Sequence, residues 1–482
     1  MSELVALSEP LPPSRYLNTD LAPTPLSQRT WNRWHFASLW VGLSVCIPTY
    51  MLAASLIDAG MNWWQSLLTI VLGNAIVLIP LAINAHAGTR YGIPFPVYAR
   101  ASFGLKGAHL PALLRSIVAC GWFGIQTWIG GLAISEILGI VWPAWRGLGG
   151  STTVMGFGLP AYAGFGIFWL INLWFVWKGT ESIKWLETIS APFLILIGLA
   201  LLWWAAAKVG GLGTILARSN ALVGTPQGSF GTLFLPWLTA MVGFWATLSL
   251  NIPDFTRFAR SQHEQLSGQA LGLLITMPLF AFIGVAVTSA TVILYGKAIW
   301  NPVELVGRIA GEQQSSLLAL LALVAILIAT LTTNIAANIV APAYSFANLN
   351  PRRISARLGG VIAALIGIAI LPWKLLDAYQ TWLISYSGLL GAVGGVIVCD
   401  YLVVRGRRLE LRELYLEGGA YTYYQGVNSR AVAAAVAGIL VALAGTLHPK
   451  LRFLFSGAWF SASLVSFVTY SYLMRPAPPP EA

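Results

Sequence analysis

Long apolar segments, separated by short polar connections, run through most of the chain. Each is close to the 20 or so residues, about 30 Å of α-helix, that a bilayer crossing needs. The pattern predicts twelve membrane-spanning helices, near residues 36–57, 62–85, 111–141, 161–177, 186–207, 231–252, 270–295, 317–347, 358–373, 378–404, 430–447 and 453–474. Residues 1–35 are polar and rich in proline, which predicts an N-terminal tail without a cleaved signal peptide.

Composition supports an all-α polytopic membrane protein embedded in a lipid bilayer. Hydrophobic residues make up 57% of the chain and charged residues 9%, whereas soluble proteins average roughly 25% charged residues. The three cysteines lie in apolar segments without a Cys-x-x-Cys pair, so neither a disulfide framework nor a zinc site is predicted.

The basic residues predict the orientation in the membrane. The net charge of +11 comes from Lys and Arg in short connections, which indicates topology rather than binding of nucleic acid. With the N-terminus inside, twenty of the 28 Lys and Arg residues lie on the inner side and eight on the outer side. We therefore expect a cell-membrane protein with both termini, including the tail 475–482, in the cytoplasm.

Two predicted spans, five apart, carry signals for an interrupted helix. Pro48 lies within the first span, where it removes a backbone donor. In the sixth span Gly243 lies midway and residues 251–254 close the segment. Broken helices at corresponding positions of two repeats point to the central binding site of a transporter. The alternative for Pro48 is a simple kink, since membrane helices tolerate proline.

Trp122 and Gln126 lie four residues apart in the third span and therefore share a helix face. The indole offers a stacking surface, and the carboxamide offers both a donor and an acceptor. A flat, amide-rich heterocycle needs both. The alternative is that Trp122 packs in the core or against lipid and that Gln126 makes a contact between helices.

The eighth span contains five polar residues in its apolar run: Thr330, Thr332, Thr333, Asn334 and Asn338. Asn334 and Asn338 share a helix face, so either could present its amide to a ligand inside the bundle. Hydrogen bonds between helices are the alternative role for such residues. Their concentration favours a binding site.

Several motifs, in order, resemble the nucleobase:cation symporter-1 family over nearly the whole chain. They are NTDLAP (18–23), WFGIQT (122–127), WAT (245–247), NIPDFTR (251–257), TNIAAN (333–338) continuing to PAY (342–344), and DY (400–401) before Arg405. The resemblance implies a LeuT-like fold, with two inverted five-helix repeats at 36–207 and 231–404 and two peripheral spans at 430–474. It also implies secondary active transport of a small heterocycle, driven by a cation.

The family's hydantoin permease branch implies roles for individual residues. The substrate ring would lie between Trp122 and Trp245, with Gln126 and Asn338 as hydrogen-bonding partners. This sequence departs from that branch near the ring, with Cys46 in place of an amide side chain and Phe244 in place of a glycine. Residues 46–50 and 245–257 look closer to allantoin and uracil permeases. Allantoin is the first expectation and uracil a close second, with hydantoin, cytosine or another nucleobase as alternatives.

The resemblance also implies a sodium site and no covalent cofactor. Backbone carbonyls at Gly42, Val45 and Ala329 and the hydroxyls of Thr332 and Thr333 match the ligands of that branch. Hard cations prefer oxygen ligands, and both hydroxyls are retained here. A proton remains the alternative coupling ion.

Two other classes of protein fit the sequence less well. A membrane-embedded enzyme would need a cluster of acid, base or metal-binding residues, but the acidic residues near the spans are scattered. A channel would show rings of carbonyls or charges along a pore. Glu136, near the end of the third span, is expected to be a helix-end carboxylate that snorkels to the membrane surface or forms a pair, with proton coupling as its alternative role.

Overall fold

The protein is a bundle of α-helices in a computed structural model that describes residues 4–7, 10–178, 184–219, 229–313, 316–350 and 352–475. Within these ranges eight helical segments are long and apolar enough to cross a membrane. Two bent helix pairs and two shorter apolar helices, Ala356–Ala369 and Ser429–Ala444, bring the number of spans to twelve. The predicted twelve-helix architecture is confirmed. Residues 476–482 of the predicted C-terminal tail lie outside the described residues.

The helices follow one another with short connections. They are α1 Arg33–Ser44, α2 Ile47–Asp58, α3 Trp63–Tyr91, α4 Phe95–Phe103, α5 His109–Val141, α6 Leu159–Lys178, α7 Lys184–Val209, α8 Leu212–Ser219, α9 Phe230–Asn251, α10 Pro253–Thr256, α11 Gln262–Leu271, α12 Met277–Tyr295, α13 Pro302–Gln313, α14 Ser316–Asn338, α15 Val340–Leu349, α16 Ala356–Ala369, α17 Pro372–Asp377, α18 Tyr379–Cys399, α19 Ser429–Ala444, α20 Arg452–Ser456 and α21 Ala458–Leu473. A two-stranded hairpin, Thr153–Val154 with Phe157–Gly158, precedes α6. Turns of π-helix at Gly272–Thr276 and Asp400–Val404 follow α11 and α18.

The first span is interrupted as predicted. Helices α1 and α2 meet at an angle of 57°, because Val45 and Cys46 between them leave the helical conformation. The amide of Cys46 donates to Ser44 O at 3.1 Å, so the helical hydrogen bond to Gly42 O is not formed. Pro48 lies in the first turn of α2. The N–H groups of a first turn have no acceptor within the helix, so the helix tolerates a proline there.

The predicted interruption of the sixth span at Gly243 is wrong. Helix α9 continues through Gly243 to Asn251 and ends just before Pro253. A Cβ atom on Gly243 would lie 2.9 Å from both Leu383 O and Ser387 Cβ of α18. The glycine therefore lets two helices approach closely and does not break one.

The N-terminal segment lies across the helix ends on one side of the bundle, which we call the N-terminal side. Arg100, fully buried in α4, donates to Tyr16 O at 2.9 Å, to Leu414 O at 3.1 Å and to Asn348 Oδ1 at 2.8 Å. One guanidinium thus joins the N-terminal segment to the end of α15 and to the connection before α19. The last spans, α19 and α21, pack on each other and on α18. The exact limits of the two repeats stay a prediction.

Candidate functional site

A small cavity lies where the break between α1 and α2 meets α5, α9 and α14. It is lined by Leu43, Cys46, Pro48, Trp122, Gln126, Phe244, Trp245, Thr247, Leu248, Thr333, Ala337 and Asn338. The structure therefore brings together six of the seven residues predicted to bind substrate, all except Asn334. The cavity volume is about 30 Å³, whereas drug-sized ligands occupy pockets of about 300–1,000 Å³. In this conformation the site is closed on its own side chains.

Trp122 is held in place by the tenth span. Its indole Nε1 donates to the hydroxyl of Tyr386 at 3.2 Å, and that hydroxyl donates to Gly243 O at 2.9 Å. The Trp382 ring packs edge-on against it with ring centroids 4.9 Å apart. A buried indole needs such a partner for its N–H. These contacts fix the orientation of the ring that faces the cavity.

Trp245 is held from the opposite side by the first, second and seventh spans. Its Nε1 donates to Asn74 Oδ1 at 3.0 Å and also approaches Met277 Sδ at 3.0 Å. Trp40 packs edge-on against its ring with centroids 5.0 Å apart. Both indoles are therefore positioned before any ligand arrives, which lowers the entropic cost of binding.

Phe244 contacts both indoles. Its ring centroid lies 5.1 Å from that of Trp122 and 4.8 Å from that of Trp245, with interplanar angles of 81° and 88°. These are edge-to-face contacts, which are favourable for aromatic pairs. The side chain that replaces a glycine of the hydantoin branch thus packs against both rings expected to enclose the substrate. The space for a flat ring between them is not open in this structure.

The polar side chains at the cavity have different partners. Gln126 Oε1 is buried and accepts no hydrogen bond from the described residues. Asn338 donates to Asn334 Oδ1 at 3.0 Å. Asn334 in turn donates to Thr127 Oγ1 at 3.1 Å and to Asn172 Oδ1 at 3.2 Å. Asn334 lies outside the cavity lining and joins three helices, so its geometry favours the interhelical role and not the predicted contact with substrate.

The residues expected to hold sodium lie on two helices that pack against each other, α1 and α14. On α1, the carbonyl of Gly42 has lost its helical donor and Val45 lies in the break. On α14, the hydroxyl of Thr332 donates to Ala329 O at 3.1 Å. Thr333 lines the cavity. This set offers only oxygen ligands, which fits a hard cation.

Sequence reasoning missed residues that shape the site from other helices. Asn74 and Tyr386 position the two indoles, and Thr247 lines the cavity beside Trp245. A polar Asn74 in the apolar run of α3 was a signal that could have been used. Glu136 lies elsewhere: its Oε2 is 3.5 Å from Arg146 Nη2, and both side chains are exposed. The pairing expected for Glu136 is therefore present.

Comparisons with known proteins agree with this architecture. Residues 23–470 match the family described as permease for cytosine/purines, uracil, thiamine, allantoin. A purine-uracil permease of Arabidopsis thaliana is 48% identical over 89% of this chain and 72% of its own length. An allantoin permease of Bacillus subtilis is 41% identical over 97% of this chain and 94% of its own length.

Solved structures give the same answer for the fold. Inward-facing Mhp1 superposes with a TM-score of 0.79 at 26% identity, covering 97% of this chain and 95% of Mhp1. Mhp1 in a closed conformation with bromovinylhydantoin bound, a nucleobase-cation-symport-1 family transporter, gives a TM-score of 0.77 at 26% identity, with 95% and 96% coverage. The predicted LeuT-like fold and family are confirmed. The chain belongs to the family of permeases for cytosine and purines, uracil, thiamine and allantoin, and is a multi-pass membrane transporter.

Proposed function

We propose that this transporter takes up a nucleobase or a related ureide by symport with a cation, with allantoin as the first candidate and uracil a close second. The observation that carries the proposal is the convergence of two anchored indoles with an unpaired amide oxygen, Gln126 Oε1, in one buried cavity. A ring N–H of the substrate would satisfy that oxygen. The similarity to allantoin and purine-uracil permeases supports this choice of substrates.

Transport requires the site to open, because the cavity of about 30 Å³ has room for about one water molecule. Movement of the helices, or of the Phe244 side chain, would admit a ring between Trp122 and Trp245. The broken first span lines the cavity and also carries the proposed cation ligands Gly42 and Val45. A movement at the break between α1 and α2 would couple binding of the cation to binding of the substrate, as expected for alternating access around a central site.

Uptake measurements test the proposal directly. Cells lacking their own permeases would express the chain and receive radiolabelled allantoin, uracil, hydantoin or cytosine, with and without external sodium. We expect saturable, gradient-dependent uptake of allantoin or uracil. Uptake that rises in proportion to concentration would indicate a channel, and no uptake of any of the four compounds would contradict the proposed substrate class.

Gln126→Glu and Asn338→Asp should each raise the KM for uptake about ten- to a hundredfold. A carboxylate lacks the donors of the amide, and leaving a buried polar group unpaired costs about 1–3 kcal/mol. Gln269→Glu is the matched control, because Gln269 is a buried amide on α11 that does not line the cavity. Unchanged affinity and selectivity in both cavity variants would assign Gln126 and Asn338 to helix packing.

Phe244→Ala should shift selectivity toward hydantoins with a bulky 5-substituent. Removing the ring that contacts both indoles enlarges the cavity beside the substrate plane. We expect the inhibition constant of benzylhydantoin, relative to that of allantoin, to fall by about tenfold, or 1.4 kcal/mol. Phe168→Ala, which removes a buried ring packed outside the cavity, controls for the loss of stability. The same order of affinities in the parent protein, Phe244→Ala and Phe168→Ala would show that Phe244 does not limit the size of the ligand.

Labelling of single cysteines tests the proposed orientation with cytoplasmic termini. The three native cysteines are buried, so background reaction with a membrane-impermeant maleimide should be low in the parent protein. Ser27→Cys and Ser151→Cys introduce exposed thiols in the N-terminal segment and between α5 and α6. We expect Ser151→Cys to react in intact cells and Ser27→Cys only after permeabilisation. The opposite pattern would reverse the orientation.

A further inference from the structure

A second cavity, of about 660 Å³, lies on the N-terminal side of the bundle. It forms where the N-terminal segment crosses the start of α5 and the end of α15. Arg15 and Tyr16 contribute one wall, Lys106 and His109 another, and residues 348–350, 352 and 353 the third. It shares no lining residue with the cavity around Trp122. Its volume is within the range of small-molecule sites, about 300–1,000 Å³.

The charges on its walls have one sign. Arg15, Lys106, Arg352 and Arg353 line the cavity, and no Asp or Glu does. Lys106, Arg352 and Arg353 form no salt bridge with any residue that the structure describes. Arg15 pairs with Glu417, and both of these side chains are about half exposed. The positive charge along the cavity walls, which is carried by solvent-exposed residues, is therefore largely without a protein partner.

The floor of the cavity is a fixed hydrogen-bond network. Asn348 Oδ1 accepts from the buried Arg100 at 2.8 Å, and Asn348 Nδ2 lies 3.2 Å from His109 Nδ1. Because the oxygen of this amide accepts from a guanidinium, its nitrogen is the donor to His109 Nδ1. The neutral ring then carries its proton on Nε2, which is a donor. The floor and the walls thus offer chiefly hydrogen-bond donors and positive charge.

We infer that this cavity binds a phosphate-bearing anion. Arg and Lys side chains form their strongest charge-assisted hydrogen bonds with phosphate and carboxylate oxygens, and arginine often binds phosphate in a bidentate manner. The phosphate is either that of a soluble compound or that of a lipid headgroup. Bound there, it links Arg15 of the N-terminal segment to the ends of α5 and α15. Binding of the anion at this cavity does not depend on which substrate is transported.

Binding can be tested on the purified full-length protein, with inorganic pyrophosphate as the soluble probe. Thermal unfolding would be followed in phosphatidylcholine nanodiscs, against sodium chloride of the same ionic strength. We expect pyrophosphate to raise the Tm. The double variant Lys106→Gln/Arg353→Gln should weaken its apparent affinity by at least about tenfold, since it removes two of the four cations. Arg430→Gln/Arg475→Gln removes the same charge from exposed positions outside the cavity and should not change the affinity.

A second arm distinguishes the source of the phosphate. The parent and both double variants would be compared in phosphatidylglycerol and phosphatidylcholine nanodiscs without pyrophosphate. Stabilisation by phosphatidylglycerol that only the cavity variant loses identifies a lipid headgroup, whereas a response to pyrophosphate alone identifies a soluble ligand. An equal loss in the two double variants would show general charge attraction and overturn the site. The absence of stabilisation by either probe would overturn it as well.

Discussion

Trp122→Ala and Trp245→Ala are each expected to abolish saturable uptake at low substrate concentration while the protein still reaches the membrane. Each variant removes one face of the proposed aromatic stack. Stacking of a base on an aromatic side chain contributes about 1–3 kcal/mol, and 1.4 kcal/mol corresponds to about tenfold in affinity. The effect should exceed this range, because each indole also holds Phe244 in place through an edge-to-face contact.

Two controls separate binding from folding. Trp128→Ala removes another buried indole of α5, one that packs against Phe157 and Trp373 and does not line the cavity. Trp122→Phe keeps a π face while losing the hydrogen bond to Tyr386, so it should retain part of the affinity. Normal uptake by both alanine variants would place the substrate elsewhere. A comparable loss in Trp128→Ala would attribute the effect to packing.

Much of the architecture follows from local patterns. Apolar run lengths predict the spans, and Pro48 predicts the broken first span, because both signals act within a single segment. Gly243 shows the limit of this reasoning. A glycine inside a helix indicates either a break or a close neighbour, and the neighbour, Leu383 of α18, is 140 positions away in sequence. Helix α4 was not predicted either, since its nine residues are too few for a span, although all of them are buried.

In the site, too, some features follow from local spacing and others depend on residues that are distant in sequence. Helical spacing alone places Trp122 and Gln126 on one face, and the cavity contains both. The separation of roles between Asn334 and Asn338 depends on what each faces, since Asn334 meets Thr127 and Asn172 of neighbouring helices. The contact of Phe244 with Trp122 likewise depends on how two helices, α9 and α5, pack against each other. The local sequence around a residue does not show which side chain of another helix it contacts.

Sodium coupling has a specific expected signature. In the double variant Thr332→Ala/Thr333→Val, the half-saturating sodium concentration for uptake should rise by at least about tenfold. The order of substrate affinities should stay the same. Sodium in a site shielded from water needs several oxygen ligands, about five in the proposed set. In the proposed set, the break after α1 would supply the carbonyls of Gly42 and Val45, and α14 would supply the carbonyl of Ala329 and the two hydroxyls. Uptake would be measured against external sodium at fixed substrate concentration.

Thr330→Ala is the matched control for this test. Its hydroxyl is also buried on α14, but it donates to Ile326 O at 2.6 Å and does not belong to the proposed ligand set. A proton-coupled mechanism calls for a titratable group near the substrate, and the residues that line the cavity include no Asp, Glu, His or Lys. Uptake by the parent protein that ignores sodium and collapses with a proton uncoupler would overturn the sodium assignment. The proton would then have to bind at the thiol of Cys46 or at a group outside the cavity lining, and Thr332 and Thr333 would be left with a structural role.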